Sequence, residues 1–274
     1  MSPEPVSPDP AGDQLVLTEK AGGVATLTLN NPAKRNALSR AMRAALEAAL
    51  ADVAADPTVR VVVLTHAGPV FCAGMDLKEA SQGTGTDGSG DGMQGAVRSL
   101  LGLLRAIVAC PKPVVAKIAG TVRAGGLGIV GACDVAVSAG SVTYAFTEAR
   151  LGIAPAVISL TTLPRMDPRK AHRWCLTGES FDAHAAADAG LISQAVPQAE
   201  LDEAVAAVTA ELLLASPQGL AETKRLLGRP MLAALDGEGE EIGKLSADLF
   251  ASEEAAEGMR AFAERRPPRW AVTP

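Results

Sequence analysis

Apolar and polar residues follow two different periods along the first part of the chain. Val24–Leu29 alternates with a period of two and ends at the turn sequence Asn30–Pro32, which predicts a half-buried strand. Ser39 is placed to cap the helix that follows. One apolar stripe at helical spacing predicts the buried face of that helix: Met42, Leu46, Leu50 and Val53. Val59–Thr65 is almost wholly apolar and β-branched, which predicts a strand covered on both faces.

The alternation of strand and helix patterns continues after a polar interruption. Ser81–Gly95 consists mostly of Gly, Ser and Asp, and its composition predicts a mobile loop. A helix is predicted at Ala96–Ala109, and strands are predicted at Val114–Gly120 and Val135–Val137. Alternating strands and helices of this kind predict an α/β core.

The last quarter of the chain is predicted to be helical, with helices at Leu201–Leu214, Gly219–Leu227 and Ala255–Glu264. The N-terminal residues are rich in proline and acidic, which predicts a disordered tail. We therefore divide the chain into a tail, an α/β core and a helical C-terminal region, at residues 1–13, 14–196 and 197–274.

Charge and composition narrow the classes of partner. The net charge of −6 argues against nucleic acid, because a phosphate-binding face needs an excess of basic residues. Charged residues interrupt every apolar segment, so we expect no membrane span. The N-terminal residues lack the basic and apolar regions of a signal peptide and are poor in arginine, so we expect a cytoplasmic protein.

The cysteines and histidines do not form a metal-binding pattern. The four cysteines are far apart and include no C-x-x-C pair, so we expect reduced thiols in or near the core; they are Cys72, Cys110, Cys133 and Cys175. The three histidines are isolated from one another: His66, His172 and His184. We therefore expect no metal site.

Two glycine-containing segments, Phe71–Leu77 and Ala124–Gly128, each follow a strand pattern and precede a helix pattern. Such junctions leave unpaired N–H groups that favour negative charge. Two converging N–H groups could hold a carbonyl oxygen that becomes an oxyanion, although the glycines could also serve only to form tight turns. The sequence has no phosphate-binding loop, no dinucleotide fingerprint and no G-x-S-x-G nucleophile motif.

Six segments in order resemble the crotonase (enoyl-CoA hydratase/isomerase) superfamily. They are NPAKRNALS (Asn31–Ser39), FCAGMDLKEA (Phe71–Ala80), KIAGTVRAGGLGIVGACDVAV (Lys117–Val137), FTEARLGIAPAVIS (Phe146–Ser159), LTGESFDAHAAADAGLISQAV (Leu176–Val196) and EGMRAFAERRPPRW (Glu257–Trp270). The resemblance implies an α/β spiral of repeated ββα units with a helical C-terminal region. It also implies a homotrimer or homohexamer that acts on an acyl-CoA thioester, with coenzyme A as part of the substrate and no permanently bound cofactor.

The same resemblance implies roles for individual residues. Met75 and Gly125 match the positions whose backbone N–H groups form the oxyanion hole. The residues that match coenzyme A-binding stretches are Lys34, Arg35, Ala37, Ala73, Asp76, Leu77 and Lys78, and among them Lys34 and Arg35 could meet phosphates. Phe262 and Arg265 match positions that approach the adenine end, often from a neighbouring subunit, although both could also be plain surface residues.

The carboxylates distinguish between reactions. Hydratases with two glutamates carry the first one at the position of Gly128, so that acid is missing, whereas the second is retained as Glu148. Glu148 could instead be a solvated charge or an ion pair with Arg150. A single glutamate suits either a 2-enoyl-CoA hydratase or a Δ3,Δ2-enoyl-CoA isomerase, and a non-catalytic acyl-CoA-binding homologue is a third possibility. The segment TEARLGIAPAVIS is similar to methylglutaconyl-CoA-type hydratases, which favours hydration.

Arg123 lies two residues before the second oxyanion position, where the family more often has an apolar residue. One hypothesis is that it contacts an anionic acyl group or an acid of the neighbouring loop (Glu79, Asp87 or Asp91). The alternative is an arginine that is paired within the fold or at a subunit contact.

Overall fold

The computed structural model describes residues 14–76, 79 and 92–272. The strands in this part of the chain are β1 Val16–Ala21, β2 Val24–Leu29, β3 Val61–His66, β4 Val70–Cys72, β5 Val114–Ile118, β6 Thr121–Arg123, β7 Val135–Ala139, β8 Thr143–Ala145, β9 Phe181–Asp182 and β10 Gln194–Val196. The helices are α1 Arg40–Ala55, α2 Gly92–Ala109, α3 Gly125–Ala132, α4 Ala156–Thr162, α5 Pro168–Thr177, α6 Ala183–Asp188, α7 Leu201–Leu214, α8 Pro217–Phe250 and α9 Glu253–Glu264.

Two sheets share the strands of the core. The larger sheet has the order β1-β2-β3-β5-β7-β10 and the smaller sheet has the order β4-β6-β8-β9. Each successive pair of strands (β3 and β4, β5 and β6, β7 and β8) gives one strand to each sheet, and strands of successive pairs lie parallel. This winding is the predicted spiral, and the mixed α/β fold with a helical C-terminal region is confirmed.

Local sequence explains why the first helix forms where it does. The side chain of Ser39 accepts a hydrogen bond from Met42 N and so caps α1 as predicted. All members of the predicted stripe are buried: Met42, Leu46, Leu50 and Val53. They join a core built mainly from Val, Leu, Ile and Ala, in which Cys72, Cys110 and Cys133 are also buried, while Cys175 is half-buried.

Two predicted boundaries are wrong by four residues or more, and the bounds of several other elements differ by one or two residues. The expected loop Ser81–Gly95 is helical from Gly92 onward, where α2 begins, and residues 81–91 lie outside the described part. The helix predicted to end at Leu227 continues as α8 to Phe250, with Pro230 inside it. The predicted tail at residues 1–13 also lies outside the described residues.

No single described helix is both long and apolar enough to cross a membrane, and one pair, Gln198–Leu214 with Pro217–Phe250, meets those requirements only when taken together across a bend of 110°. Within the same residues, no group of three or more His, Cys, Asp or Glu side chains is arranged to hold a metal ion.

Candidate active site

Three parallel strands of the smaller sheet bring the predicted catalytic residues to one edge. A single row of paired residues crosses these strands: Cys72 in β4, Val122 in β6 and Tyr144 in β8. Met75 and Gly125 follow this row by three residues, and Glu148 follows it by four. Because the carboxyl ends of parallel strands meet at the same edge of a sheet, the topology places all three residues at one end of the small sheet.

The peptide group between Gly74 and Met75 is held by its carbonyl. Leu38 N–H donates a hydrogen bond of 2.8 Å to Gly74 O, and Leu38 forms an isolated bridge with Met75. In a planar trans peptide the N–H points away from the C=O, so this bond turns Met75 N–H away from Leu38. Among the described residues, Met75 N–H donates to no protein acceptor.

The peptide group between Ala124 and Gly125 is held in the same way. Leu127 N–H donates a hydrogen bond of 2.8 Å to Ala124 O, and this bond fixes the direction of Gly125 N–H at the start of α3. Gly125 N–H likewise has no protein acceptor in the described part of the chain. Ala124 adopts φ 45° and ψ −120°, a conformation that costs an L-residue about 1–3 kcal/mol. The strain therefore lies in the peptide that carries the second candidate donor.

The two N–H segments contact each other directly. A Cβ atom added to Gly74, whose φ is +89°, would lie 2.8 Å from Ala124 Cβ and 3.2 Å from Gly125 N. A Cβ atom added to Gly125 would lie 3.1 Å from Leu38 Cδ1. At Gly74 only glycine allows this approach, so Gly74 does more than form a turn: it lets the segments that carry the two free N–H groups lie close together. Such a pair is suited to holding an oxyanion.

Glu148 is a buried carboxyl group in which one oxygen has no hydrogen-bond partner among the described residues. Its side chain is 6% exposed, and that oxygen is Oε2. Burial raises the pKa of Glu148 from its usual 4.5 to about 7. Arg150 donates instead to Thr177 O, at 2.8 Å. Glu148 is therefore neither a solvated charge nor the partner of Arg150, and its pKa suits proton transfer near neutral pH.

Hydrophobic side chains fill the space beside Gly128. A Cβ atom added to Gly128 would lie 2.7 Å from Ile158 Cγ2 and 3.4 Å from Leu104 Cδ1. The hydroxyl of Thr161 also donates to Gly128 O, at 2.9 Å, which holds α4 against α3. The position of the missing first glutamate is therefore closed by packing.

The predicted coenzyme A loop is held in place by a residue that the sequence analysis did not single out. Lys34 and Arg35 are exposed, as phosphate contacts would require. Asn36 follows Arg35 and is fully buried. Its side-chain amide donates hydrogen bonds to Ala67 O at 3.0 Å and to Val70 O at 2.7 Å. Its φ of 51° lies in the left-handed region, which asparagine tolerates well.

The other predicted coenzyme A contacts fall at several places. Ala37, Ala73 and Asp76 are half-buried along the segments that flank Met75. Leu77 and Lys78 lie outside the described residues. At the end of α9, Phe262 is 58% exposed and Arg265 is exposed, so their contact with an adenine ring stays a prediction.

Arg123 is bound within the fold. Its guanidinium donates to Thr143 O at 2.6 Å, to Thr143 Oγ1 at 2.9 Å and to Val122 O at 2.8 Å. These bonds connect β6 to β8. Glu79 accepts from Arg40 N–H instead, and Asp87 and Asp91 lie outside the described part. The bonds to Thr143 and Val122 support the alternative of an arginine paired within the fold, and a contact with an acyl group, Asp87 or Asp91 stays a prediction.

Comparison with known proteins agrees with this geometry. The family model described as enoyl-CoA hydratase/isomerase matches residues 19–272. A putative enoyl-CoA hydratase of Thermus thermophilus is 36% identical, over 93% of this chain and 100% of its own. The zebrafish (Danio rerio) protein named enoyl-CoA hydratase domain-containing protein 3, mitochondrial, is 32% identical, over 94% of this chain and 88% of its own.

Solved structures give the same result. A crystal structure of an enoyl-CoA hydratase from Mycobacterium avium is 45% identical, has a TM-score of 0.86, and covers 94% of this chain and 100% of its own. Sequence, fold and the arrangement of the two N–H segments thus agree, and the chain belongs to the enoyl-CoA hydratase/isomerase family, with the crotonase fold.

Proposed function

We propose that the protein is an enoyl-CoA hydratase that adds water to a 2-enoyl-CoA thioester with Glu148 as its single carboxylate. The observation that carries the proposal is the burial of Glu148 with a pKa near 7 at the edge where Met75 and Gly125 present free N–H groups. The names of its relatives and the similarity of TEARLGIAPAVIS to methylglutaconyl-CoA-type hydratases favour hydration over other reactions of the family.

One carboxylate is sufficient for both proton transfers. Ionised Glu148 takes a proton from water as the oxygen attacks C3 of the enoyl group. The electron pair of the double bond moves toward the thioester oxygen, and Met75 and Gly125 N–H stabilise the resulting enolate. Protonated Glu148 then returns the proton to C2, so that the elements of one water molecule are added to the double bond and the glutamate is regenerated.

Substrate binding is proposed to use the exposed cations of the loop before α1. Lys34 and Arg35 would meet coenzyme A phosphates, and the buried Asn36 keeps that loop against β4. We further propose that the protein assembles as a homotrimer or homohexamer in which Phe262 and Arg265 approach the adenine end of a coenzyme A. Coenzyme A enters as part of the substrate, and this chemistry needs no bound cofactor.

A Δ3,Δ2-enoyl-CoA isomerase is the second candidate, and the closed space beside Gly128 supports it. That packing leaves Glu148 without a second glutamate from the position where two-glutamate hydratases carry one. A lone Glu148 could remove a proton from C2 of a 3-enoyl thioester and deliver it to C4, through the same enolate.

The test follows the ultraviolet absorbance of the conjugated enoyl thioester with 2-enoyl-CoA and 3-enoyl-CoA given separately. A fall in absorbance with the 2-enoyl substrate, lost in Glu148→Gln by at least about 100-fold, supports hydration. Glu257→Gln is the matched control, because Glu257 lies on α9, has low exposure and is held by Arg266. A rise with the 3-enoyl substrate alone would make the protein an isomerase. No change with either substrate, combined with tight acyl-CoA binding, would support a non-catalytic homologue.

A further inference from the structure

Arg43 is a fully buried arginine that the proposed mechanism does not use. It lies in the first turn of α1 and is 2% exposed. A positive charge is unfavourable both in a protein interior and near a helix N-terminus. No ion pair joins its guanidinium to a carboxylate of the described residues, and Glu79 and Glu47 attract it only through longer-range Coulombic interaction. Because burying the Arg43 charge at this position is unfavourable, we expect hydrogen bonds of its guanidinium to have a function.

The hydrogen bonds of Arg43 lead to the first oxyanion segment. Its Nη1 donates a hydrogen bond to Leu38 O, and its Nε donates to Ser99 Oγ in α2 at 3.0 Å. The N–H of the same Leu38 donates to Gly74 O and so orients the peptide that carries Met75 N–H. The carbonyl group of Leu38 thus accepts a hydrogen bond from Arg43, and the N–H group of Leu38 donates one to Gly74 O.

Leu38 also contacts the second donor. Its side chain is fully buried, and its Cδ1 atom is the nearest atom, at 3.1 Å, to a Cβ atom built on Gly125. A displacement of Leu38 would therefore move the Met75 peptide and open space beside Gly125. A shift of about 1 Å in a positioned group is enough to cost about 100-fold in rate.

We propose that Arg43 is a positioning residue that fixes Leu38 and, through Leu38, the two N–H donors of the oxyanion hole. The inference rests on the proposed function only in requiring that Met75 and Gly125 stabilise an enolate. It does not depend on which reaction follows enolate formation. Arg43 itself touches neither the substrate nor the reacting atoms.

The test uses acetoacetyl-CoA, a 3-oxoacyl thioester whose enolate absorbs in the near ultraviolet. An intact oxyanion hole lowers the pH at which the bound thioester becomes an enolate. Arg43→Met is expected to raise that pH midpoint by about one to two units, which corresponds to a 10- to 100-fold loss of enolate stabilisation. We expect kcat to fall by a similar factor with little change in KM. Arg43→Lys should recover part of the effect, since an ammonium group can still donate to Leu38 O.

Two further variants separate positioning from stability. Arg60→Met is the matched control: Arg60 is half-buried and also donates to a backbone carbonyl, Ala215 O, but it precedes β3 at the amino end of that strand. It should lower the melting temperature without moving the enolate midpoint. If Arg43→Met does not fold, Ser99→Ala removes one hydrogen bond and keeps the charge, and a smaller shift in the same direction is expected.

The outcomes distinguish the inference from the proposed function. A folded Arg43→Met or Ser99→Ala protein with the wild-type enolate midpoint would overturn the role of Arg43. If the wild-type protein forms the enolate but hydrates no enoyl-CoA, the hydratase proposal fails and the inference stands. If the wild-type protein binds acetoacetyl-CoA without enolate formation, both fail together with the oxyanion hole.

Discussion

Replacing Glu148 with glutamine should change how the stability of the protein depends on pH. In the folded protein the pKa of Glu148 is about 7, above its usual value of 4.5, because burial disfavours the ionised form. The protonated carboxyl group therefore favours the folded state. As pH rises from 4.5 to 7, the unfolded chain loses this proton while the folded protein keeps it, so the wild type loses stability across that window. Glutamine does not titrate, so Glu148→Gln lacks this loss.

The magnitude follows from the pKa difference. From 4.5 to about 7 is a shift of about 2.5 units, which corresponds to about 3 kcal/mol when both states have fully titrated. At pH 5 the wild type has already lost about 1 kcal/mol of this stabilisation, and at pH 8 it has lost nearly all of it. The free energy of unfolding of Glu148→Gln minus that of the wild type should therefore increase by about 2–3 kcal/mol between pH 5 and pH 8.

Urea denaturation at pH 5 and pH 8, with equal protein concentrations, measures this difference. Glu257→Gln is the control: its hydrogen bond with Arg266 lowers the pKa of Glu257 to about 2. The pKa values of Glu257 in the folded and the unfolded protein both lie below pH 5. The free energies of unfolding of Glu257→Gln and the wild type should therefore differ by nearly the same amount at the two pH values. A difference for Glu148→Gln that is also constant between pH 5 and pH 8 would refute the raised pKa.

The same geometry makes further predictions. The value of kcat/KM should rise with pH around a midpoint near 7, because only ionised Glu148 takes a proton from water; initial rates from pH 5 to 9 test this, and a flat profile would contradict it. Gly74→Ala should lower kcat by about 100-fold in steady-state assays, because the new methyl group would lie 2.8 Å from Ala124 Cβ at a φ of +89°. Gly128→Glu should lower stability by about 1–3 kcal/mol in urea denaturation without a gain in hydration rate, and Ile158→Ala in the same chain should relieve part of the loss.

Patterns confined to one segment predicted their elements well. Leu201–Leu214 forms a helix with the predicted bounds, and β2 matches Val24–Leu29. Ser39 caps α1 because a cap needs only a serine side chain and the N–H of a residue three positions later. The resemblance to crotonases supplied the winding of the spiral, which no local pattern contains.

Features that depend on distant contacts could not be predicted in this way. Pro230 and several glycines argue against one long helix at α8, yet the helix runs through them. Gly243 is buried there, and a Cβ atom on it would lie 3.2 Å from Leu101 Cδ1, so packing against α2 outweighs the low helix propensity of glycine. Asn36 and Arg43 each join a neighbour five residues away to a partner more than thirty residues away, Ala67 for Asn36 and Ser99 for Arg43, and the long-range partners cannot be read from the local sequence.

The loss of the first glutamate is part of how two helices pack. At Gly128, the backbone of α3 lies directly against Ile158 and Thr161 of α4. Gly131 lies against α4 one turn later, where an added Cβ atom would be 2.5 Å from Thr161 O. A side chain at either glycine would force α4 away from α3. The α4 helix begins eight residues after Glu148, so the same chain segment carries the remaining carboxylate and the side chain that occupies the place of the missing one. A second carboxylate at this position would therefore require a change in α4 as well as at Gly128, and this packing favours the proposal that Glu148 acts alone.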